Sequence, residues 1–248
     1  MPAPLPTTDP VKLPIVYRDA SQFGVFFRIE LDRARALLEG TSLEPWPVLG
    51  AAVGAVYVWE YRDSSVGVNN EVGLGIQARR RGTHPSLVRL GLDMRAQDDQ
   101  GIWVVNLPVT TEAACTAGID IWGYPKYVTP IETRFTDVGA SVRLGDELAF
   151  SIGRMVGPSM KLPVVTYTAR EGRLLRTVIE VSTSVRWGTG RSSRLELIGD
   201  GPTAESARKL GLDRAPAIAA FRTDRFQATL PAGVDLGPAG RDGAAARR

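Results

Sequence analysis

The chain has 248 residues and a net charge of +3, with acidic and basic side chains interspersed. This length suffices for one domain with a sizeable core, and the absence of a basic stripe disfavours a nucleic-acid partner. A single cysteine excludes an internal disulfide, and a single histidine disfavours the usual zinc sites. We therefore predict neither a metal nor a cofactor.

The sequence shows neither a signal-peptide pattern nor a membrane-spanning segment. The N-terminal segment is rich in proline and lacks the basic and apolar regions of a signal peptide. A membrane helix needs about 18 consecutive apolar residues, and the sequence contains no such run. We expect a cytoplasmic protein with no membrane partner.

The two ends differ in composition from the rest of the chain. Residues 1–13 are rich in proline, and residues 231–248 are rich in glycine, alanine and arginine. Such composition is typical of poorly ordered segments. We therefore predict a flexible N-terminal segment over 1–13, a single domain over 14–230 and a disordered tail over 231–248.

Alternation of apolar and polar residues predicts that the body of the chain consists mostly of strands. The predicted strands are 23–30, 51–62, 71–79, 102–109, 127–135, 141–152, 164–169, 174–185, 193–198 and 226–230. Short strands punctuated by turns favour a closed or nearly closed antiparallel β-barrel. Helices are predicted from Asp32, as the cap, through Leu38, over 110–116, and over 203–210 with Gly211 as the stop.

Lys126 is the most informative residue. Only four of the 30 basic residues are lysines, and this one is the only charged residue within 121–131, a segment of aromatic, apolar and proline residues. Lysine can lose its proton when desolvated, whereas arginine cannot, and a neutral amine can form a Schiff base with a carbonyl. The alternative is an ordinary lysine that lies along apolar surface with its ammonium in water.

The predicted strand at 71–79 has an unusual face. Glu71, Gly73, Gly75 and Gln77 alternate and therefore share one side of the strand. An acid followed by two glycines leaves room for a ligand or for close backbone contact. The same pattern also fits a solvent-facing strand with glycine bulges.

Residues 118–126, which end in Tyr124, Pro125 and Lys126, resemble the active-site segment of the acetoacetate decarboxylase family. The resemblance extends from about residue 14 to about residue 225 and implies the family's fold, a multimer and a Schiff base on Lys126. Residues 69–76 resemble the strand whose acid faces that lysine, which implies this role for Glu71. Residues 17–19 resemble an early arginine–acid step, which implies an active-site arginine at Arg18.

The sequence also departs from the family pattern. The family's second lysine, directly after the first, is replaced by Tyr127, and the arginine of its Gly-Arg-Glu step is replaced by Ile119. A second family glutamate falls near Tyr57 or Glu60. We expect Trp122, Tyr124 and Tyr127 to line the substrate pocket.

These residues favour a Schiff-base decarboxylase of a small β-keto acid, with the lysine imine as the electron sink. Glu71 would transfer protons and Arg18 would hold the substrate carboxylate. One alternative is a Schiff-base aldolase or aldolase–dehydratase acting on an α-keto acid such as pyruvate. A second alternative is a barrel that binds a small ligand and catalyses nothing.

Overall fold

A computed structural model of the chain describes residues 11–48, 50–84, 99–162 and 164–240. Most of the predicted N-terminal flexible segment, residues 1–10, and the last residues, 241–248, lie outside the described residues. The predicted mainly β class with a few short helices is confirmed. Within the described ranges, no helix is long and apolar enough to cross a membrane.

The larger of two sheets contains 11 strands. In spatial order they are β15 (Val234–Pro238), β11 (Arg173–Val181), β10 (Val164–Arg170), β5 (Gln100–Asn106), β4 (Asn69–Arg80), β3 (Ala52–Ser64), β1 (Ile15–Ile29), β14 (Ala217–Leu230), β12 (Ser184–Gly188) and β9 (Ser159–Lys161), with β2 (Leu43–Pro45) beside β4. Strand β11 also pairs with β14 through Glu180↔Thr229 and Val181↔Ala228. This pairing closes a ring that consists of β11, β10, β5, β4, β3, β1 and β14.

This ring confirms the predicted closure of the sheet, with one departure from the antiparallel prediction. Strands β5 and β10 pair in parallel at Thr166↔Ile102 and Tyr167↔Trp103. Parallel neighbours need a long connection, and here the connection carries a helix and most of the second sheet. The sequence pattern of a strand does not show whether it pairs with its neighbour in parallel or antiparallel.

The second sheet packs against one face of the ring. Its spatial order is β13 (Arg194–Leu197), β8 (Leu148–Gly153), β7 (Gly139–Leu144) and β6 (Ile131–Thr136). Phe23 of β1 stacks on Phe150 of β8 with ring centroids 5.4 Å apart. Strand β3 is buried on both faces: Val58 belongs to the core shared with the second sheet, and Tyr57 to a separate cluster on the opposite face. That opposite face holds the candidate site.

The described helices are α1 (Leu31–Leu37), α2 (Glu112–Trp122) and α3 (Pro202–Leu210), with a 3-10 turn at Gly190–Ser192. The prediction for α3 is confirmed, including its stop at Gly211, whose φ is +72°. Asp32 does not cap α1, because the N-cap is Glu30 and the Asp32 carboxylate instead accepts a bond from Arg35. Helix α2 continues well past the predicted end at residue 116 and reaches Trp122.

Residues 231–240 do not form a disordered tail, which corrects the prediction for that part of 231–248. Strand β15 pairs with β11 at Leu175↔Asp235 and Arg176↔Val234. Arg173 Nε donates to Asp235 Oδ2 at 2.7 Å. Backbone hydrogen bonds to a sheet edge need few large apolar side chains, so composition alone misses such a strand.

Candidate functional site

Three adjacent backbone segments bring Lys126 beside Glu71. Strand β4 carries Glu71, residues 107–110 run along it, and the Lys126 segment runs along 107–110 on the other side. The connecting bonds run from Val72 N to Pro108 O, from Leu107 N to Pro125 O and from Val109 N to Tyr127 O, each 3.0 or 3.1 Å long. Two side chains that are far apart in sequence are thereby fixed by backbone hydrogen bonds rather than by flexible loops.

Helix α2 forms the floor under the lysine. Its C-terminus is ended by Gly123, which adopts the left-handed conformation with φ +66°. The chain then turns back, and Tyr124 N donates to Gly118 O at 3.1 Å. A Cβ placed on Gly118 would overlap Lys126 Cδ and Cε. The aliphatic part of the lysine therefore lies directly on the helix backbone.

Lys126 Nζ forms an ion pair with Glu71 Oε2. The lysine side chain is 5% exposed and the glutamate side chain 10% exposed. This burial contradicts the alternative of a lysine with its ammonium in water. Removing either partner would leave an uncompensated buried charge, which is strongly unfavourable.

The pair lies at the wall of an apolar cavity inside the ring. The cavity has a volume of about 70 Å³, enough for several water molecules. Of the described residues that line it, Lys126 is the one cation and Glu71 the one carboxylate. No group of three or more metal-ligating side chains occurs in the described part of the chain.

Four aromatic side chains form one wall of the cavity, here called the aromatic wall: Tyr17, Tyr57, Trp59 and Tyr61. Tyr57, Trp59 and Tyr61 alternate along β3, and their stacked rings are 5.6 and 6.4 Å apart. Tyr17 stacks on Tyr61 at 4.3 Å. Burial raises the pKa of all three tyrosines, and the Glu71 carboxylate raises the pKa of Tyr17 and Tyr61 further. The wall therefore presents neutral phenols.

Trp122 and Tyr124 line the cavity, where the sequence predicts them. Trp122 is 1% exposed, and its Nε1 donates to Pro231 O at 2.9 Å. The Tyr124 hydroxyl is 2.8 Å from Thr166 Oγ1. Burial raises the pKa of Tyr124, and the Glu71 carboxylate adds to the rise. Both rings are thus held in place by hydrogen bonds at their polar ends.

Arg18 does not reach the cavity, which corrects its predicted place in the site. Its side chain is 55% exposed, and its Nη1 pairs with Asp63 Oδ1 at 3.0 Å. Successive residues of a strand face opposite sides, and Tyr17 faces the cavity, so Arg18 faces outward. The substrate carboxylate would need another partner.

Tyr127 also lies outside the cavity lining, contrary to its predicted role. Its hydroxyl donates to Glu147 Oε1 at 2.6 Å and lies 2.7 Å from Thr203 Oγ1. The other Glu147 oxygen accepts from the backbone N–H of Thr203 at 2.7 Å, at the N-terminus of α3. Tyr127 thus anchors the Lys126 segment to α3, and Glu147 is a supporting residue that the sequence reading missed.

The predicted glycine face of β4 points into the cavity, because Glu71, Gly73 and Gly75 all line it. The glycines allow close packing more than open space. A Cβ on Gly73 would lie 3.2 Å from both Leu107 Cδ1 and Trp59 Cζ3, and a Cβ on Gly75 would overlap Ile102. Little room for a side chain therefore remains at positions 73 and 75 of β4.

Tyr57 and Glu60, the two positions predicted for the second family glutamate, lie on different sides of β3. Tyr57 lines the cavity, whereas Glu60 faces the opposite side and accepts a hydrogen bond from Thr133 Oγ1 at 2.7 Å. The one of the two that faces the cavity is therefore a phenol and not a carboxylate. Among the described residues that line the cavity, the acid is Glu71 and the amine is Lys126.

A family model described as acetoacetate decarboxylase (ADC) matches residues 1–153 of the chain. The matched span includes both Glu71 and Lys126. No curated protein matches the chain.

Several solved structures share the fold. The acetoacetate decarboxylase from Legionella pneumophila subsp. pneumophila str. Philadelphia 1 has a TM-score of 0.69 and 18% identity, over 96% of this chain and 93% of that chain. The enduracididine biosynthesis enzyme MppR, complexed with the condensation product of pyruvate and imidazole 4-carboxaldehyde, has a TM-score of 0.61 and 17% identity, over 93% and 91%. An acetoacetate decarboxylase-like enzyme from Sphingomonas wittichii RW1 has a TM-score of 0.60 and 14% identity, over 90% and 93%.

Proposed function

Because the chain belongs to the acetoacetate decarboxylase family, we propose that it forms an imine between Lys126 and a small keto acid and releases carbon dioxide from that imine. The observation that carries this proposal is the buried Lys126–Glu71 pair at the wall of an apolar cavity. The other lysines, Lys12, Lys161 and Lys209, are exposed. Lys126 is therefore the lysine at which a carbonyl compound would react inside a cavity and not at the protein surface.

Imine formation uses both members of the pair. Glu71 Oε2 contacts Lys126 Nζ, so it can accept the proton that the amine must lose before attack. The free lone pair adds to the ketone carbon and gives a carbinolamine. The proton then passes to the departing oxygen, which leaves as water, and a protonated imine remains on Lys126.

The protonated imine accepts the electron pair of the bond that breaks. In a β-keto acid, the bond between the α-carbon and the carboxylate supplies that pair, and carbon dioxide and a neutral enamine are formed. Glu71, reprotonated from solvent, donates a proton to the enamine carbon. Hydrolysis then returns the amine, with one proton consumed and one ketone released in each cycle.

The apolar cavity favours the decarboxylation step. The reacting carboxylate carries a full charge, whereas the transition state has dispersed that charge toward the imine. An environment with few charges to stabilise the carboxylate therefore favours the transition state over the bound keto acid. Lys126 is the one cation among the described lining residues. A carboxylate held here is thus paired with the iminium that removes its electrons.

The same pair supports a second candidate, an aldolase or aldolase–dehydratase acting on pyruvate. Glu71 would then remove a proton from the methyl carbon of the pyruvate imine, and the enamine would add to an aldehyde. MppR, which shares this fold, is described in complex with a condensation product of pyruvate and an aldehyde. The reaction differs from decarboxylation only after the imine has formed.

Product analysis distinguishes these reactions. The protein is supplied with acetoacetate, or with pyruvate and an aldehyde, and carbon dioxide and condensation products are followed by NMR and mass spectrometry. We expect acetone and carbon dioxide from acetoacetate, abolished in Lys126→Arg and retained in Lys161→Arg, which alters an exposed lysine. Arginine keeps the positive charge beside Glu71 but cannot form the imine. No turnover of either substrate set by the wild type would favour a non-catalytic ligand-binding barrel.

A further inference from the structure

The aromatic wall is larger than the smallest keto acids require. Three of its rings, Tyr57, Trp59 and Tyr61, form a continuous stack along β3, and Tyr17 extends the stack at one end. Phe226 packs edge-on against Tyr61 at 6.5 Å and also lines the cavity. A methyl ketone such as acetoacetate offers one methyl group to this surface.

The wall also carries polar atoms without a partner. Trp59 is 8% exposed, and its Nε1 makes no hydrogen bond within the described residues. No hydrogen bond joins the hydroxyl of Tyr17, Tyr57 or Tyr61 to another described residue, whereas the Tyr124 hydroxyl is 2.8 Å from Thr166 Oγ1. A buried donor without an acceptor, such as Trp59 Nε1, is unfavourable, so a ligand that supplies an oxygen atom at the wall would satisfy it.

The charges of the cavity restrict the ligand further. Its described lining contains one cation, Lys126, and that cation is neutralised by Glu71. Arg18, the arginine that would have held a carboxylate, lies on the outside in a pair with Asp63. What the described lining offers a ligand besides this pair is therefore apolar and aromatic contact and neutral hydrogen-bond donors.

We propose that the substrate is a keto acid whose ketone carries a planar apolar group, aryl or conjugated, that packs against the aromatic wall. Its oxygen atoms accept hydrogen bonds from the Trp59 indole and the phenol hydroxyls in place of a guanidinium. This inference rests on the proposed imine chemistry at Lys126. The bonds that form and break are those already given, and the product is an aryl or conjugated ketone and carbon dioxide.

A matched pair of β-keto acids tests this substrate class. Acetoacetate and benzoylacetate differ only in the methyl or phenyl group on the ketone. The second-order rate of borohydride-trapped adduct formation is measured for each, and each rate is divided by that of the same compound with a free alkylamine in solution. This division removes the difference in intrinsic reactivity between the two ketones.

We expect the normalised rate of benzoylacetate to exceed that of acetoacetate by about tenfold, a ratio that aromatic contacts of this kind can supply. Trp59→Leu should bring the ratio toward one. Trp187→Leu should leave it unchanged, because Trp187 stacks on Phe26 but does not line the cavity. If Trp59→Leu does not fold, the wild-type ratio alone decides.

The outcomes separate the two levels of the proposal. Adducts of both compounds with a wild-type ratio of one or less would overturn the aromatic substrate class and leave the imine chemistry standing. A ratio that survives Trp59→Leu would also overturn the assigned role of the wall. No adduct with either compound would overturn the imine chemistry itself, and with it this inference.

Discussion

Gly118 determines whether Lys126 can reach Glu71, and Gly118→Ala is the perturbation that tests this. The added Cβ would overlap Lys126 Cδ and Cε and would lie 3.5 Å from Cγ. Carbon atoms in contact prefer separations of about 3.5–4.0 Å, so the lysine stem must move by at least about 1 Å. Because the stem carries Nζ, this movement takes the amine out of contact with Glu71.

A displacement of about 1 Å at a reacting group can lower the rate about 100-fold, and we expect a loss of that size in kcat/KM. Alanine is the better helix former by up to about 1 kcal/mol, so the fold should persist. The assay pairs initial rates with denaturant unfolding, and Ile119→Ala, an exposed change on the same helix, is the control. Wild-type kcat/KM in a folded Gly118→Ala protein would refute the packing argument.

Four further changes have defined outcomes. Glu71→Gln removes the proton carrier and should lower kcat by about 10²–10⁴ with a much smaller change in KM; equal losses in binding and turnover would argue against proton transfer. Tyr127→Phe removes two hydroxyl hydrogen bonds and should lower the free energy of unfolding by about 1–3 kcal/mol with KM unchanged, whereas a raised KM would return Tyr127 to the pocket. Arg18→Ala breaks an exposed pair and should alter stability by at most about 1 kcal/mol and leave turnover intact; lost activity would contradict its placement outside the cavity. Burial raises the pKa of Tyr57 and Tyr61, so their contribution to stability is present below their ordinary pKa of about 10 and is lost as pH rises above it; denaturant unfolding from about pH 9 to about pH 11 should show this fall, and a flat profile would contradict it.

Features that depend only on residues close together in the chain could be predicted from the sequence. Glu71, Gly73 and Gly75 share a face because side chains alternate along any strand, and that face lines the cavity. The stop of α3 at Gly211 was readable because glycine alone adopts its left-handed conformation without strain. Lys126 could be singled out because it is a charged residue in an apolar segment, and that contrast is visible in the order of the residues alone.

The choice between Tyr17 and Arg18 depended on register. Strand β1 has a register shift against β14 between Tyr17 and Ala20, and another against β3 between Tyr17 and Asp19. A shift of one residue exchanges the inward and outward faces of a strand. The sequence therefore placed the correct segment near the site but the wrong side chain inside it.

Contacts between residues far apart in the chain could not be predicted, because no local sequence pattern specifies them. Tyr127 looked like a pocket residue because it follows Lys126, yet Glu147 and the start of α3 draw its ring to the other side of the segment. The predicted strand at 51–62 has Tyr57, Trp59 and Tyr61 at alternating positions, but both faces of β3 are buried in the structure. Which face meets a cavity and which meets the second sheet is decided by the packing of the two sheets.

The most direct test of the account is to find which lysine carries the covalent adduct. The wild-type protein is incubated with acetoacetate, benzoylacetate or pyruvate, reduced with borohydride, digested and mapped by mass spectrometry. We predict one adduct per chain, on Lys126, absent from Lys126→Arg and unchanged in Lys161→Arg. An adduct on Lys12, Lys161 or Lys209 in place of Lys126, or none with any of the three acids, would contradict the assignment of Lys126 as the reactive amine.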